Sequence, residues 1–305
     1  MNTDAFVVAY WDGDSMTKLL IIGIVAASAV WAQPASKTVE VFGQKIHYLE
    51  AGSGPNVILL HGLGADATNW SMNTSLLAKS FHVYVPDQIG FGESDKPLIN
   101  YRVGTLVDFL DGFCKKLGIA KASIVGNSLG GWTAMAFTLA HPDKVEKMVL
   151  VDSAGYSFDR LGGPKPTREM LETLNPSTLA ATKTVIALIL ANKTMATDAV
   201  AENFFAGHMR HNDGYTIERF IDSIFRSEDV VDGKLGAIKV PTLIVWGRED
   251  ALTPLAGGQM MKSEIAGSEM VVLDRCGHIP HFECAAPFNT ALLKFLNAQQ
   301  PAATR

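Results

Sequence analysis

A serine held between two glycines constrains this chain more than any other feature. In Lys121-Ala122-Ser123-Ile124-Val125-Gly126-Asn127-Ser128-Leu129-Gly130-Gly131-Trp132, a short apolar, strand-like segment runs into Ser128. Behind it, Trp132, Met135, Ala136, Leu139 and Ala140 recur at helical spacing until Pro142 ends the pattern. A residue at so sharp a strand-to-helix turn needs an unusual backbone angle and leaves no room for bulky neighbours. Gly126 and Gly130, two residues either side of Ser128, remove the side chains that would clash. Such a turn lifts the serine oxygen above the sheet, beside the first amides of the following helix. Those amides and the helix dipole favour a developing negative charge.

A serine hydroxyl is a poor nucleophile unless a base takes its proton. The best base is His278, in Cys276-Gly277-His278-Ile279-Pro280-His281, after the last strand-like segment. Asp250, in Val245-Trp246-Gly247-Arg248-Glu249-Asp250, lies just past the preceding strand and suits the role of orienting acid. Asp152, at the end of another strand, is a rival acid, while the extra carbon of Glu249 misplaces its carboxylate. The amides of Leu63, in His61-Gly62-Leu63-Gly64, and of Leu129 are the expected pair of oxyanion donors. Asp87 is expected to pin its loop through backbone amides, and His61 to brace the oxyanion loop. His208 and His211, one helical turn apart, are assigned to solvent or to a seam between elements.

The rest of the chain supplies a sheet for this constellation. Strand patterns cover Thr38 to Phe42, Lys45 to Glu50, Val57 to Leu60, Phe81 to Val85, Lys147 to Val151, Thr242 to Trp246 and Met270 to Leu273. Helical patterns fill Asn69 to Lys79, Val103 to Leu117 and Ala286 to Leu296. That alternation predicts an α/β fold with a doubly wound, mostly parallel sheet. From Ser153 to Ile238 it stops: only helical patterns occur, such as Ala180 to Ala191, Thr197 to Met209 and Ile217 to Phe225. The expected organisation is a core of residues 37–152 and 239–298, with residues 153–238 as a helical cap over the strands' C-terminal edge.

The first residues read as processing rather than fold. Met16-Thr17-Lys18 is followed by an apolar run from Leu19 to Val30, then Trp31-Ala32-Gln33-Pro34. This is a signal-peptide pattern with a cut after Ala32, and the acidic residues ahead of Met16 mark residues 1–15 as an upstream extension. The expectation is an exported protein, periplasmic or secreted, with no stable membrane span in the mature chain. A net charge of −5 over 305 residues gives no reason to expect nucleic acid as a partner. Cys114, Cys276 and Cys284 are too few for a disulfide scaffold; Cys276 and Cys284 could pair in an oxidising compartment, but two free thiols are the preferred reading.

Jointly, His61 to Gly64, Asp87 to Ser94, Gly126 to Gly130, Gly247 to Asp250 and Gly277 to Glu283 resemble the motifs of the α/β-hydrolase superfamily. The likeness covers nearly everything from Lys37 to the last helix, and the chain order Ser, Asp, His is the one that fold implies. Within it the chain is similar to the capped branch of esterases, lactonases and carbon–carbon hydrolases of aromatic ring-cleavage products. The Gly126-Asn127-Ser128 and Cys276-Gly277-His278 forms resemble those carbon–carbon hydrolases, although Ile279 stands where that group has Trp. Cys276, His278, His281 and Cys284 mimic metal-ligand spacing, yet His281 and Glu283 also fit the family's loop after the base. The resemblance implies a serine hydrolase acting on a small-molecule ester of modest size, with no metal or organic cofactor. Alternatives are carbon–carbon cleavage of a dienoic keto acid and a small-molecule receptor on the same fold.

Overall fold

The computed structural model describes residues 33–162 and 165–298. The readings placed on residues 1–32, the signal peptide and the upstream extension, lie outside the described residues.

Eight strands form one sheet in the order β1-β2-β4-β3-β5-β6-β7-β8. They are β1 (Ala35–Val41), β2 (Gln44–Gly52), β3 (Asn56–Leu60), β4 (His82–Pro86), β5 (Ala122–Asn127), β6 (Val145–Val151), β7 (Thr242–Gly247) and β8 (Glu269–Leu273). β2 pairs antiparallel with β1 and β4, and every later pairing is parallel. Parallel strands need both faces covered, so their sequences run apolar without a break. In β3, Ile58 and Leu60 face one core and Val57 and Leu59 the other; in β6, Met148 and Leu150 oppose Val149 and Val151.

Helices cover both faces. On the first lie α2 (Val103–Lys116) and α3 (Leu129–Ala140), which contribute Leu106, Leu110, Phe113, Trp132, Met135 and Phe137. On the second lie α1 (Ser71–Leu77) and α11 (Ala285–Asn297), through Leu77, Phe288, Leu292 and Phe295. The doubly wound α/β fold expected from the sequence is therefore the one formed.

Between β6 and β7 the chain makes α4 (Phe158–Leu161), α5 (Arg168–Glu172), α6 (Leu179–Ile189), α7 (Asp198–His211) and α8 (Gly214–Phe225), with no strand among the described residues. The helical patterns at 180–191, 197–209 and 217–225 match α6, α7 and α8. After β7 comes α9 (Leu255–Glu264), which the sequence pattern does not reveal. Its adjacent Gly257 and Gly258 weaken any helical signal. Packing explains the second: a Cβ at Gly258 would come within 2.5 Å of the Trp246 ring. The short α10 (Pro280–Glu283) then precedes α11. No helix among the described residues is long and apolar enough to cross a membrane.

Candidate active site

Ser128 sits at the junction of β5 and α3 with φ 54° and ψ −115°. Such an angle is strained for a residue with a side chain. The backbone around it holds the strain: Ser128 N–H donates to Val151 O at 3.0 Å, and Ser128 O accepts from Trp132 N–H at 3.1 Å. The flanking glycines are steric requirements. A Cβ on Gly126 would lie 2.2 Å from Gly130 O, and one on Gly130 would lie 2.3 Å from Leu60 O.

His278 and Asp250 meet as expected. His278 Nδ1–H donates to Asp250 Oδ2 at 2.8 Å, and both side chains are almost wholly buried. Burial works to raise the Asp250 carboxyl, but the charge of His278 and the bonds from His278 and Thr253 outweigh it. The group is held below the usual carboxylate range. Asp250 Oδ1 also accepts from Leu252 N–H at 2.8 Å and Thr253 N–H at 3.0 Å, an Asx-type turn that fixes its rotamer. His278 and Ser128 line one cavity, and Ser128 Oγ makes no hydrogen bond to another described residue.

The rival acids are occupied elsewhere. Asp152 is fully buried, and its Oδ1 accepts from Gly247 N–H at 2.8 Å. Burial first, and the charge of Asp250 second, push its carboxyl well above the usual range. Its Oδ2 has no partner among the described residues and can hold a proton to share with Asp250. Glu249 Oε2 accepts from Cys276 N–H at 3.0 Å.

Leu63 lies in the loop after β3, and Leu129 is the first residue of α3. Both line the cavity, and neither amide donates to a partner among the described residues. A helix's first amides lack intrahelical acceptors, so Leu129 N–H is available to a ligand. His61 braces this loop: its Nδ1–H donates to Gly62 O at 2.8 Å while Nε2 accepts from Gln88 N–H at 3.0 Å. Asp87 pins its loop as expected, accepting from Ala67 N–H at 2.7 Å, Glu93 N–H at 2.8 Å and the His47 ring at 2.8 Å.

Several partners escaped sequence reading. The Thr253 hydroxyl lies 2.5 Å from Asp250 Oδ2 and 3.1 Å from His278 Nδ1, bracing the pair. Only its place three residues after Asp250 hinted at this. Asn127 Nδ2 donates to His278 O at 3.0 Å, and Glu283 accepts from Gly277, Ala191 and Asn192 amides. Glu283 therefore ties the loop of the base to the segment after α6. The free-thiol reading of Cys276 and Cys284 is corrected: they form a disulfide with Cα atoms 6.1 Å apart, spanning His278. A bonded pair offers no thiolate to a metal, and no metal-binding group occurs among the described residues. His208 lies where the helical segment meets the sheet's loops, and it lines the cavity there. His211 does occupy a seam, 3.6 Å from both Asp66 and Glu93 carboxylates.

The cavity measures about 730 Å³, within the usual range for a small-molecule site. Its walls are overwhelmingly apolar, contributed by both the sheet's loops and the helices between β6 and β7. No Lys, Arg, Asp or Glu occurs among its described lining residues.

An elbow serine, an Asp-bound histidine and free amides above an open parallel sheet define the hydrolases of the α/β fold. The chain belongs to the α/β hydrolase fold family, which it matches over residues 55–285. Among its relatives is a 2-hydroxy-6-oxononadienedioate/2-hydroxy-6-oxononatrienedioate hydrolase of Escherichia coli. That protein is 34% identical over 266 residues, 83% of this chain and 91% of the relative. In structure the chain is similar to a meta-cleavage product hydrolase of Pseudomonas fluorescens. The two are 29% identical with a TM-score of 0.78, covering 86% of this chain and 97% of the other. A bacterial membrane phospholipase A is similar too, at 25% identity and a TM-score of 0.75, covering 87% of each chain.

His281 yields a pH prediction. It is fully buried, stacks on Trp70 with centroids 4.2 Å apart, and donates from Nε2 to Asn69 Oδ1 at 2.7 Å. Burial first, then the nearby His278, lowers its pKa from 6.5 to about 3. The unfolded chain therefore takes up a proton that the folded chain refuses, and stability falls as pH drops from 6.5 towards about 3. His281→Gln should flatten this part of the stability profile, read from urea midpoints across that window. An unchanged slope would remove His281 as the cause.

Proposed function

We propose that the chain is a serine hydrolase that cleaves an uncharged carboxylic ester with apolar flanks through an acyl-enzyme. Ser128 Oγ attacks the ester carbonyl and its proton passes to His278 Nε2, while Asp250 keeps the Nδ1–H tautomer in place. Leu63 and Leu129 amides bind the oxyanion. The leaving alcohol takes the proton from His278, and water then releases the acid by the same route. The helical segment between β6 and β7 acts as a cap that shapes specificity.

One observation carries the ester reading over its rival: the absence of any Lys or Arg from the described cavity wall. A carboxylate taken from water into an apolar site without a cation costs several kcal/mol. Dienoic keto acids carry that carboxylate; a neutral ester does not. The second reading, carbon–carbon cleavage, is supported by the activity named for the Escherichia coli relative, 34% identical over 266 residues.

Export is also proposed. Processing after Ala32 would leave Gln33, ahead of β1 at Ala35, and a disulfide at Cys276–Cys284 suits an oxidising compartment.

Three measurements follow. Kinetics should give p-nitrophenyl octanoate a kcat/KM at least ~100-fold above that of the half ester of octanedioic acid, whose carboxylate must be buried. A dienoic keto acid turned over faster than any neutral ester would instead establish the carbon–carbon reading. Asp250→Asn should lower kcat by about 10⁴-fold and Asp152→Asn by less than ~10-fold, with folding checked by circular dichroism. The reverse ranking would make Asp152 the acid. N-terminal sequencing of the protein made in a Gram-negative host should begin at Gln33, and a chain retaining residues 1–32 in the cytoplasm would refute export.

A further inference from the structure

A second histidine–aspartate pair faces the same cavity from the other side. His208, in the last turn of α7, lines the cavity, and its Nδ1 lies 2.6 Å from Oδ1 of Asp213 at the start of α8. Asp213 is buried, 1% exposed, and its Oδ2 has no partner among the described residues. A carboxylate oxygen only accepts, so Nδ1 carries the hydrogen and the ring orientation is fixed. Nε2 has no hydrogen-bond partner among the described residues, and in the neutral ring it offers a lone pair.

His208 and His278 are the two titratable side chains among the described cavity residues. His278 is committed to the elbow. The rest of the wall is largely apolar, its other polar side chains being Asn69, Asn127, Ser128, Thr173, Thr182 and Thr253. A ring nitrogen without a partner costs binding free energy unless a polar group of the ligand meets it.

We propose that His208 is the specificity-determining residue of this site, accepting a hydrogen bond from a hydroxyl group of the substrate. The substrate class is thus a hydroxylated ester, its hydroxyl on the acyl or the alcohol part. This rests on the ester-hydrolase reading above. A substrate carboxylate fits less well than a hydroxyl. Even a protonated His208 would already be balanced by the buried Asp213 charge, and two anions would share one imidazolium in an apolar wall.

Two matched pairs of substrates test the inference. One sets p-nitrophenyl octanoate against its counterparts hydroxylated along the chain; the other sets propyl octanoate against glyceryl octanoate. In at least one pair the wild type should favour the hydroxylated ester by about 10-fold in kcat/KM, the worth of one hydrogen bond. His208→Phe should abolish that preference, with the fold checked by circular dichroism. His208→Gln, which keeps an acceptor oxygen, should restore part of it. Preference in neither pair overturns the inference using the wild type alone, and so does a preference that survives in His208→Phe. A wild type preferring the half ester of octanedioic acid to every hydroxylated ester overturns it as well. Turnover of plain esters in those cases leaves the ester reading standing, whereas no turnover of any ester brings down both.

Discussion

The backbone angle at Ser128 is the constraint on which the site depends. A side chain at φ 54° and ψ −115° persists only where the surroundings over-determine it. Here they do so through parallel strands on both sides of β5 and the first turn of α3. The 2.2 Å approach that a Cβ on Gly126 would make to Gly130 O shows how little space the turn leaves. Packing this close places the serine oxygen beside free amides, and the stability of the sheet offsets the strain.

The other parts of the site are anchored to this elbow by short contacts. Asn127, the residue before the serine, donates to the carbonyl of His278, so the base is registered against the nucleophile's own strand. His278 N–H in turn donates to Ile189 O at 2.7 Å, at the end of α6. Glu283 joins the same two segments, and the Cys276–Cys284 disulfide closes the loop between them. The base therefore moves only with the helical segment above it. Geometry at the site and the position of those helices form one mechanical unit.

Charge is distributed sharply within this unit. Asp250 is held ionised by His278 and Thr253, while its neighbour Asp152 is driven towards the neutral form by burial and by Asp250 itself. The two adjacent carboxyl groups are thus shifted in opposite directions, and only Asp250 meets the imidazole. That pair lies behind the cavity, whose described wall carries no acid, lysine or arginine.

The alternation of strands and helices was legible because each element carries its pattern over neighbouring residues: an unbroken apolar run in β3, period 3.6 in α2. Ser128, Asp250, His278, Leu63 and Leu129 were legible for a related reason. Each lies at a strand end marked by glycines, and strand ends of a parallel sheet converge. Other features depend on segments far apart in the chain. Thr253 meets Asp250 through a turn but His278 across 25 residues, and Glu283 reaches Asn192 across 91. Gly258 of α9 makes sense only against the Trp246 ring. Cys276 and Cys284 could be named as a possible pair but not decided, because nothing local fixes the distance between them until α10 folds back. His208 belonged to a surface helix by its pattern alone; the fold set it against Asp213 and turned it into the cavity. Local repetition fixes which elements form and where the reactive groups sit along the chain. The empty space between those elements, and hence what the site accepts, exists only once they are packed.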